Sequence, residues 1–463
     1  MGVGGQRSQI GKGIRFIAIL FLIFPACRGE NAAAPPRLPT GAINISKSET
    51  LSIAAQTAAS GSTVYAVWQE QAGGQNMEVL LARSTDGGAI FEGPINVSQS
   101  SPFSGSPKIA VAGNLIYVVW EESVPERDEK DIFFRQGEDQ NGSLSWSPPL
   151  SGPGKNLSLS NPNLCKKNNG SPAPCPSQEP SITAFGDHVF VAWGESTEYL
   201  VSPITGGQTA TQFTLLNSEI HLVQSSNRGI DFSTPLTLSG PKPNPFCGSN
   251  APLTTSLVPT LASGNGSVYI AWEDCVKPNS KILFRRWPDP SNGLFDPPLN
   301  QNPALLSGSI KGSNRPELAA DGDRVFLLWQ GFPFLEEPNT CSAGSAPNAE
   351  ILFIRSENQG VLFTSADNLI QSNLSNTPCG SGSGRIASSG SFVDVVWMET
   401  TPGSAGLRFR QSENGGITFA LAGEIVEPTG SMANPAVSAS GGSLFTFWED
   451  ATLGNLEIVF LKR

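Results

Sequence analysis

The sequence is poor in the residue types that build most metal and nucleic-acid sites. It has only two histidines, His188 and His221, and no Cys-x-x-Cys pair, so we expect no zinc site and no cofactor. Charged residues make up 15% of the chain, below the roughly 25% of average globular proteins. The formal net charge of −11 argues against nucleic acid and anionic membrane surfaces as partners.

Long apolar runs are also absent, apart from one near the N-terminus. The run "FIAILFLIF" follows a basic segment, is too short to span a bilayer comfortably, and ends at Cys27 in "FPAC". This ending resembles the lipobox of bacterial lipoproteins, which implies cleavage before Cys27 and lipidation of its thiol. Plain secretion and an uncleaved anchor are the alternatives. We therefore predict a signal peptide over 1–27, a linker over 28–40, and export to the cell envelope, either lipid-anchored through Cys27 or periplasmic or secreted.

Export makes disulfides possible for the remaining cysteines. Their even number favours pairing in an oxidising compartment, although six thiols allow 15 pairings. Proximity in the sequence favours three pairs, Cys165–Cys175, Cys247–Cys275 and Cys341–Cys379.

One repeat organises residues 41–463. Its most visible part is a short β-branched and aromatic run that ends in tryptophan, as in "VYAVW" and "VYIAW". The repeat tryptophans are Trp68, Trp120, Trp193, Trp272, Trp329, Trp397 and Trp448. A shorter strand precedes each run, and a third and usually a fourth strand follow. Four short strands per repeat predict an all-β, seven-bladed β-propeller.

The two ends of the chain complete one blade between them. The last repeat stops after its third strand, "LEIVFLKR", while "TGAINISKS" at Thr40–Ser48 copies the fourth strand "EGPINVSQS" of the first repeat. We predict that this N-terminal strand pairs with the last blade and closes the ring, which leaves no large unpaired edge.

The turns between the third and fourth strands share a second motif, S-x-[DN]-x-G-x-x-F. Its third position is Asp86, Asn227, Asn358 or Asn414. Asp and Asn bond nearby backbone, glycine accepts positive φ, and the aromatic residue can pack into the blade, so these residues are expected to form turns. Calcium chelation is the alternative role. The motif resembles the Asp-box, or BNR repeat, of the sialidase superfamily, in which it lies opposite the active site.

The resemblance implies a tyrosine nucleophile, an acid and an arginine triad, but this sequence departs from that set. Tyr65, Tyr117 and Tyr269 share one register before the repeat tryptophan and read as core, which leaves Tyr199 in a predicted loop. "TLSIAA" replaces the Arg-Ile-Pro motif of the first blade. Arg315 and Arg385 begin later inner strands, either as ligand contacts or as ordinary ion-pair partners. Sialidase chemistry of the usual kind is therefore disfavoured.

The long insertions fall in the loops that enter the first strand or join the second to the third, on the face opposite the Asp-boxes. We call this the insertion face and expect ligand contacts there from Arg315, Arg385, Glu179 and Tyr199. Six repeats also carry an acid two residues after the tryptophan. Such acids are either structural hydrogen-bond partners or a ring that could hold a cation or act as acid and base, with Glu195, Asp274 and Glu399 as catalytic candidates.

These patterns favour a monomeric binding module for a glycan or an envelope protein. A glycoside hydrolase of the sialidase clan with altered catalytic residues is the main alternative, and a structural scaffold is a third. Whether the protein is an enzyme stays open at this point.

Overall fold

The computed structural model describes residues 37–74, 76–100, 103–124, 130–140, 142–158, 165–166, 172–173, 176–201, 213–239, 253–276, 279–333, 349–377, 380–400, 405–426 and 432–463. These residues form short β-strands and a single helical turn, α1 (Leu369–Ser372). No helix among them is long and apolar enough to cross a membrane. The predicted leader, with Cys27, lies outside the described residues.

The strands form seven antiparallel blades, which confirms the predicted propeller. The chain begins with β1 (Ile43–Asn44). Blade one consists of β2 (Ser52–Ser60), β3 (Thr63–Gly73), β4 (Asn76–Ser84) and β5 (Glu92–Asn96). Blade two consists of β6 (Ser104–Ala112), β7 (Leu115–Ser123), β8 (Lys130–Gln140), β9 (Ser143–Ser147) and β10 (Lys155–Asn156). After a ribbon of β11 (Cys165–Lys166) and β12 (Pro172–Ala173), blade three consists of β13 (Ser177–Phe185), β14 (His188–Val201), β15 (Phe213–Ser225) and β16 (Leu236–Thr237).

The remaining four blades follow the same order. Blade four consists of β17 (Leu253–Gly264), β18 (Ser267–Val276), β19 (Asn279–Asp289), β20 (Leu294–Asp296) and β21 (Ala304–Leu305). Blade five consists of β22 (Lys311–Asp321), β23 (Arg324–Phe332) and β24 (Glu350–Ser356), and blade six of β25 (Ser381–Ser389), β26 (Phe392–Glu399), β27 (Gly406–Ser412) and β28 (Gly423–Val426). Blade seven consists of β29 (Met432–Ser440), β30 (Ser443–Asp450) and β31 (Glu457–Lys462). The repeat tryptophans are fully buried on the second strands. Each of the seven apolar clusters in the described part of the chain joins two adjacent blades, so the core lies between the blades.

The ring closes as predicted, because β1 pairs antiparallel with β31 and places Ile43 opposite Phe460. A side-chain clasp reinforces this pairing. The Ser46 hydroxyl donates to the buried carboxylate of Glu457 and accepts the backbone N–H of Ile458 at 2.9 Å. Two parts of the chain that are distant in the sequence thus make a bond that, in other blades, joins residues close in the sequence.

Equivalent serines make the same clasp in other blades. In blade one Ser98 donates to Glu78 and accepts the Val79 N–H at 2.9 Å, and in blade five Ser375 donates to Glu350. The clasp explains why "NIS" and "NVS" recur at the fourth strand. Residues 40–48 are therefore a fourth strand in chemistry as well as in pairing.

Each innermost strand carries a bulge at the same register. In every blade one non-glycine residue adopts positive φ there and the pairing shifts around it. The bulge residues are Ala54, Ser106, Glu179, Val258, Arg315, Ser383 and Asn434. Bulges bend a strand and redirect side chains, so this ring of seven sets which residues face the channel.

Blade three departs from the loop prediction. β14 and β15 form one long hairpin, and Tyr199 pairs with Leu215 inside it, so the prediction that Tyr199 lies in a loop is wrong. The segments "TEYLV" and "FTLLN" are rich in strand formers, which extend the ladder beyond the blade. The end of the hairpin also pairs β15 in parallel with β17, which joins blades three and four into one sheet.

Candidate functional site

The acids two residues after the repeat tryptophans are hydrogen-bond partners, and all of them except Glu70 are buried. In five blades the indole N–H donates to this acid at 2.8–3.0 Å; the pairs are Trp68–Glu70, Trp120–Glu122, Trp193–Glu195, Trp272–Asp274 and Trp448–Asp450. Burial removes water from both groups, so the charge-assisted bond replaces hydration that the indole and the carboxylate would otherwise lose.

Two of the three catalytic candidates, Glu195 and Asp274, take part in this arrangement, whereas the Trp397 indole makes no such bond to Glu399. Glu195, Asp274 and Glu399 are 5%, 3% and 3% exposed. Each also accepts a hydroxyl from the innermost strand of its own blade; the donors are Ser177 at 2.5 Å, Ser256 at 2.7 Å and Ser381 at 2.9 Å. Burial raises the pKa of Glu195. These contacts tie the first and second strands together, which is the structural role that the sequence left open.

The innermost strands enclose a polar cavity of about 180 Å³ to which all seven blades contribute. Its main side chains lie two residues after each bulge, and we call them the channel ring. The channel ring is Gln56, Lys108, Ser181, Thr260, Glu317, Arg385 and Ala436. Only three of its members are ionisable, so the cavity is a small, mixed-charge chamber.

The two predicted arginines have different surroundings. Arg385 belongs to the channel ring and forms an ion pair with Glu317 at 3.1 Å, with both side chains mostly buried. Arg315 is a bulge residue and is exposed. Its guanidinium lies close enough to Glu179 and Glu273 to favour the ionised form of both. Of the two, Arg315 presents its charge to solvent.

Residues directly after the repeat tryptophan bind the bulge of the next blade. Glu121 accepts the backbone N–H of Glu179 at 2.8 Å, and Glu449 accepts that of Ala54 at 2.7 Å. These bonds satisfy N–H groups that the bulges remove from the ladder, and they join neighbouring blades.

Glu179 replaces this link where blade three lacks it. The residue after Trp193 is Gly194, which has no side chain to accept a bond. The Glu179 carboxylate accepts the Val258 N–H of blade four at 2.9 Å instead. Burial raises the pKa of Glu179. The glycine in place of an acid is the sequence signal that could have shown this role.

Glu273 is a second acid beside Arg315 whose pKa is raised. It follows Trp272, accepts the backbone N–H of Arg315, and is partly exposed. Burial raises its pKa to about 7, and the nearby Glu179 and Asp274 carboxylates act in the same direction. A carboxyl with a pKa in this range takes up a proton near neutral pH, and its protonated form can donate as well as accept a hydrogen bond. Sequence reasoning missed Glu273.

The core tyrosines lie away from the cavity. Tyr65 donates to Asp139 at 2.8 Å, and Asp139 in turn binds Arg83 at 2.8 Å. Tyr117 and Tyr269 are fully buried, and burial raises the pKa of Tyr117 to about 12. None of the three lines the cavity.

The Asp-box residues form the turns expected of them. The side-chain oxygen of Asp86 accepts the N–H groups of Ala89 and Ile90 at 2.9 and 3.0 Å, and the equivalent oxygens of Asn227, Asn358 and Asn414 accept one each at 2.9, 2.9 and 3.0 Å. The final phenylalanine packs on a ring of the preceding blade, as Phe363 does on Phe284 at 5.1 Å. The described residues contain no group of three or more His, Cys, Asp or Glu that could hold a metal ion.

Several predicted positions cannot be placed in the site. Cys175, Cys247, Cys341 and Cys379 lie outside the described residues, as do the side chains of Cys165, Cys275 and Tyr199. The three disulfide pairs therefore stay predictions.

No protein-family model matches the sequence, and no curated protein matches it either. Solved structures do. A polysaccharide lyase, PL25 ulvan lyase, bound to -[GlcA(1-4)Rha3S]-, has a TM-score of 0.52 at 10% identity, covering 90% of this chain and 93% of that one. A Trypanosoma rangeli sialidase with the inhibitor DANA has a TM-score of 0.43 at 12% identity, covering 91% of this chain. This chain spans only 58% of that sialidase. The protein thus has the fold of a β-propeller with seven blades, similar to that of the ulvan lyase.

Proposed function

We propose that the insertion face binds acidic glycans at the channel mouth, around Arg315, without cleaving them. The observation that carries the proposal is the exposed Arg315 guanidinium, held on a bulge whose backbone N–H is bound by the Glu273 carboxyl. Arginine is suited to a sugar carboxylate or sulfate because its planar fork can form two parallel hydrogen bonds.

Glu273 complements Arg315 in this role. A carboxylate next to the arginine would repel an acidic sugar, whereas the protonated form donates a hydrogen bond to it. Because its pKa lies at about 7, we expect binding to strengthen as the pH falls from 8 to 6. A ligand that binds the protonated form would raise this pKa further.

The contacts of the candidate acids favour binding over catalysis. Glu195, Asp274 and Glu399 each hold a serine hydroxyl, and two of them also hold an indole N–H. An acid or base in a glycosidase must reach the glycosidic oxygen or a water beside the sugar. Groups already used inside a blade are poorly placed for that task.

The similarity to another propeller supports an acidic ligand. The ulvan lyase of similar fold was solved with -[GlcA(1-4)Rha3S]- bound, a saccharide that carries negative charge. Fold similarity at 10% identity transfers neither the lyase chemistry nor its residues to this chain. It does make an acidic saccharide a reasonable first ligand class.

A hydrolase remains the second candidate, because Glu273 has the raised pKa expected of a general acid. It would act beside Arg315, with a partner carboxylate such as Glu179. This differs from the acids chosen from the sequence. Loss of turnover in Glu273→Gln, with binding retained, would establish it.

The test is binding of labelled hyaluronan tetrasaccharide and sialyllactose, with cellotetraose as the neutral comparison, followed by fluorescence anisotropy. We expect Arg315→Ala to weaken binding of the acidic probes at least tenfold, the scale of a lost charge-assisted bond. Arg228→Ala, which removes an exposed arginine paired with Asp187 on the Asp-box face, is the matched control and should bind normally. Equal affinity for acidic and neutral probes, or equal losses in both variants, would contradict the proposal. An envelope protein would then become the leading partner.

A further inference from the structure

The channel ring carries more positive than negative charge. Its ionisable members are Lys108, Glu317 and Arg385, and the Glu317–Arg385 ion pair accounts for one charge of each sign. The Lys108 ammonium remains, and its described contact is a weak one to the Gln56 amide oxygen at 3.4 Å. The cavity therefore holds one cationic charge more than its own side chains neutralise.

A neighbouring acid does not remove this excess. Glu317 is the acid that most influences the pKa of Lys108, and Glu179 adds a smaller effect. The Glu317 carboxylate is paired with Arg385, and the Glu179 carboxylate accepts the Val258 N–H and lies beside Arg315. Burial is the largest influence on Lys108 and lowers its pKa, which reflects the cost of a charge with too little hydration. An anion in the cavity would relieve that cost.

Two hydroxyls add donors on the adjacent blades. Ser181 accepts the Leu261 N–H at 3.0 Å, and Thr260 accepts the Leu318 N–H at 3.2 Å. Because each oxygen is already an acceptor for a backbone N–H, the hydroxyl hydrogen is the group left to interact with a ligand. Blades two, three and four thus place an ammonium and two hydroxyl donors next to one another in the ring.

We propose that the central cavity binds a small monovalent anion, such as chloride, through the Lys108 ammonium and the hydroxyls of Ser181 and Thr260. The volume of about 180 Å³ corresponds to roughly six waters at ~30 Å³ each, which is enough for one hydrated anion. A bound anion would join inner strands from three blades through one charge. The residues of this site differ from those of the glycan site proposed at Arg315.

The experiment measures the line width of the chloride-35 resonance in sodium chloride solution as purified protein is added. Chloride that exchanges with an asymmetric protein site relaxes quickly, so the free signal broadens. We expect the wild-type protein to broaden the line, Lys108→Met to remove most of that broadening, and sodium bromide to reverse it by competition. Lys47→Met, which removes an exposed lysine and so makes the same change in net charge, is the matched control and should behave like wild type.

A second variant that should bind the anion more tightly distinguishes loss of the site from misfolding. Glu317→Gln frees Arg385 and raises the charge of the ring, so the chloride concentration that half-saturates the protein-dependent broadening should fall about tenfold, the scale of one unit charge at a partly desolvated site. Broadening that persists in Lys108→Met, that is lost equally in Lys47→Met, or that is unchanged by Glu317→Gln would overturn the proposal. Wild-type protein that is folded but does not broaden the line would do the same.

Discussion

Glu350 provides a sensitive test of the buried clasps, because the loss of its proton as the pH rises should make the protein less stable. This carboxyl is 1% exposed, accepts the Ser375 hydroxyl, and accepts the Thr377 N–H at 3.3 Å. Burial raises its pKa from 4.5 to about 7, and the Glu399 carboxylate adds to the rise. The native state therefore binds a proton that the unfolded chain releases above pH 4.5.

The sign follows from proton linkage. Between pH 4.5 and about 7 the native state holds more protons than the unfolded state, so the free energy of unfolding falls as pH rises. A shift of this size corresponds to about 3 kcal/mol, at roughly 1.4 kcal/mol per pKa unit. This contribution is fully present below pH 4.5 and is lost by about pH 8. Buried carboxylates in ion pairs show the opposite dependence.

Two variants at this clasp should change the dependence in opposite directions. Glu350→Gln removes the titrating group, so the difference in unfolding free energy between wild type and variant should shift by about 3 kcal/mol in favour of the variant from pH 5 to pH 8. Ser375→Ala removes a donor that stabilises the charged form, so the pKa of Glu350 should rise further and the decline of the variant should extend to higher pH than that of wild type. Urea unfolding followed by tryptophan fluorescence measures both. A difference that is independent of pH, or one that favours wild type more strongly at pH 8, would refute this reasoning.

Two further predictions concern packing between blades and ring closure. Gly360→Ala should destabilise the protein by about 1–3 kcal/mol, because a Cβ there would lie 2.9 Å from the Phe284 ring at a φ of +75°; a thermal melt that is unchanged would contradict the packing described for the Asp-box turns. Ser46→Ala breaks the closing clasp with Glu457 and should cost about 1–3 kcal/mol in urea unfolding. A loss similar to that of Ser98→Ala in blade one is expected, and no loss would show that β1 contributes little to closure.

The fold could be predicted from the sequence because every blade repeats the same local chemistry. The strand that ends in tryptophan and the Asp-box glycine occur at fixed positions, so strand order followed from pattern alone. Ring closure also followed, since residues 40–48 copy another fourth strand. The long hairpin around Tyr199 was missed because a long segment between two strands was read as a loop despite its strand-forming residues.

The site was harder to predict because it depends on register. A bulge shifts which residues face the channel, and nothing in the sequence of "NRPEL" or "SQEPS" fixes that shift without the neighbouring blade. The acids two residues after six of the tryptophans were visible, but their serine and indole partners were not. The acid one residue after Trp272 was overlooked, although it lies beside Arg315.

The central claim, binding of an acidic glycan without cleavage, is tested most directly by following both events in one sample. Purified protein is incubated with fluorescent hyaluronan tetrasaccharide at pH 6; anisotropy reports binding, and chromatography of the same sample reports the length of the saccharide. We predict that anisotropy rises and stays constant while the tetrasaccharide is recovered intact. Anisotropy that decays as shorter products appear, and that stays constant in Glu273→Gln, would contradict this account and identify an enzyme.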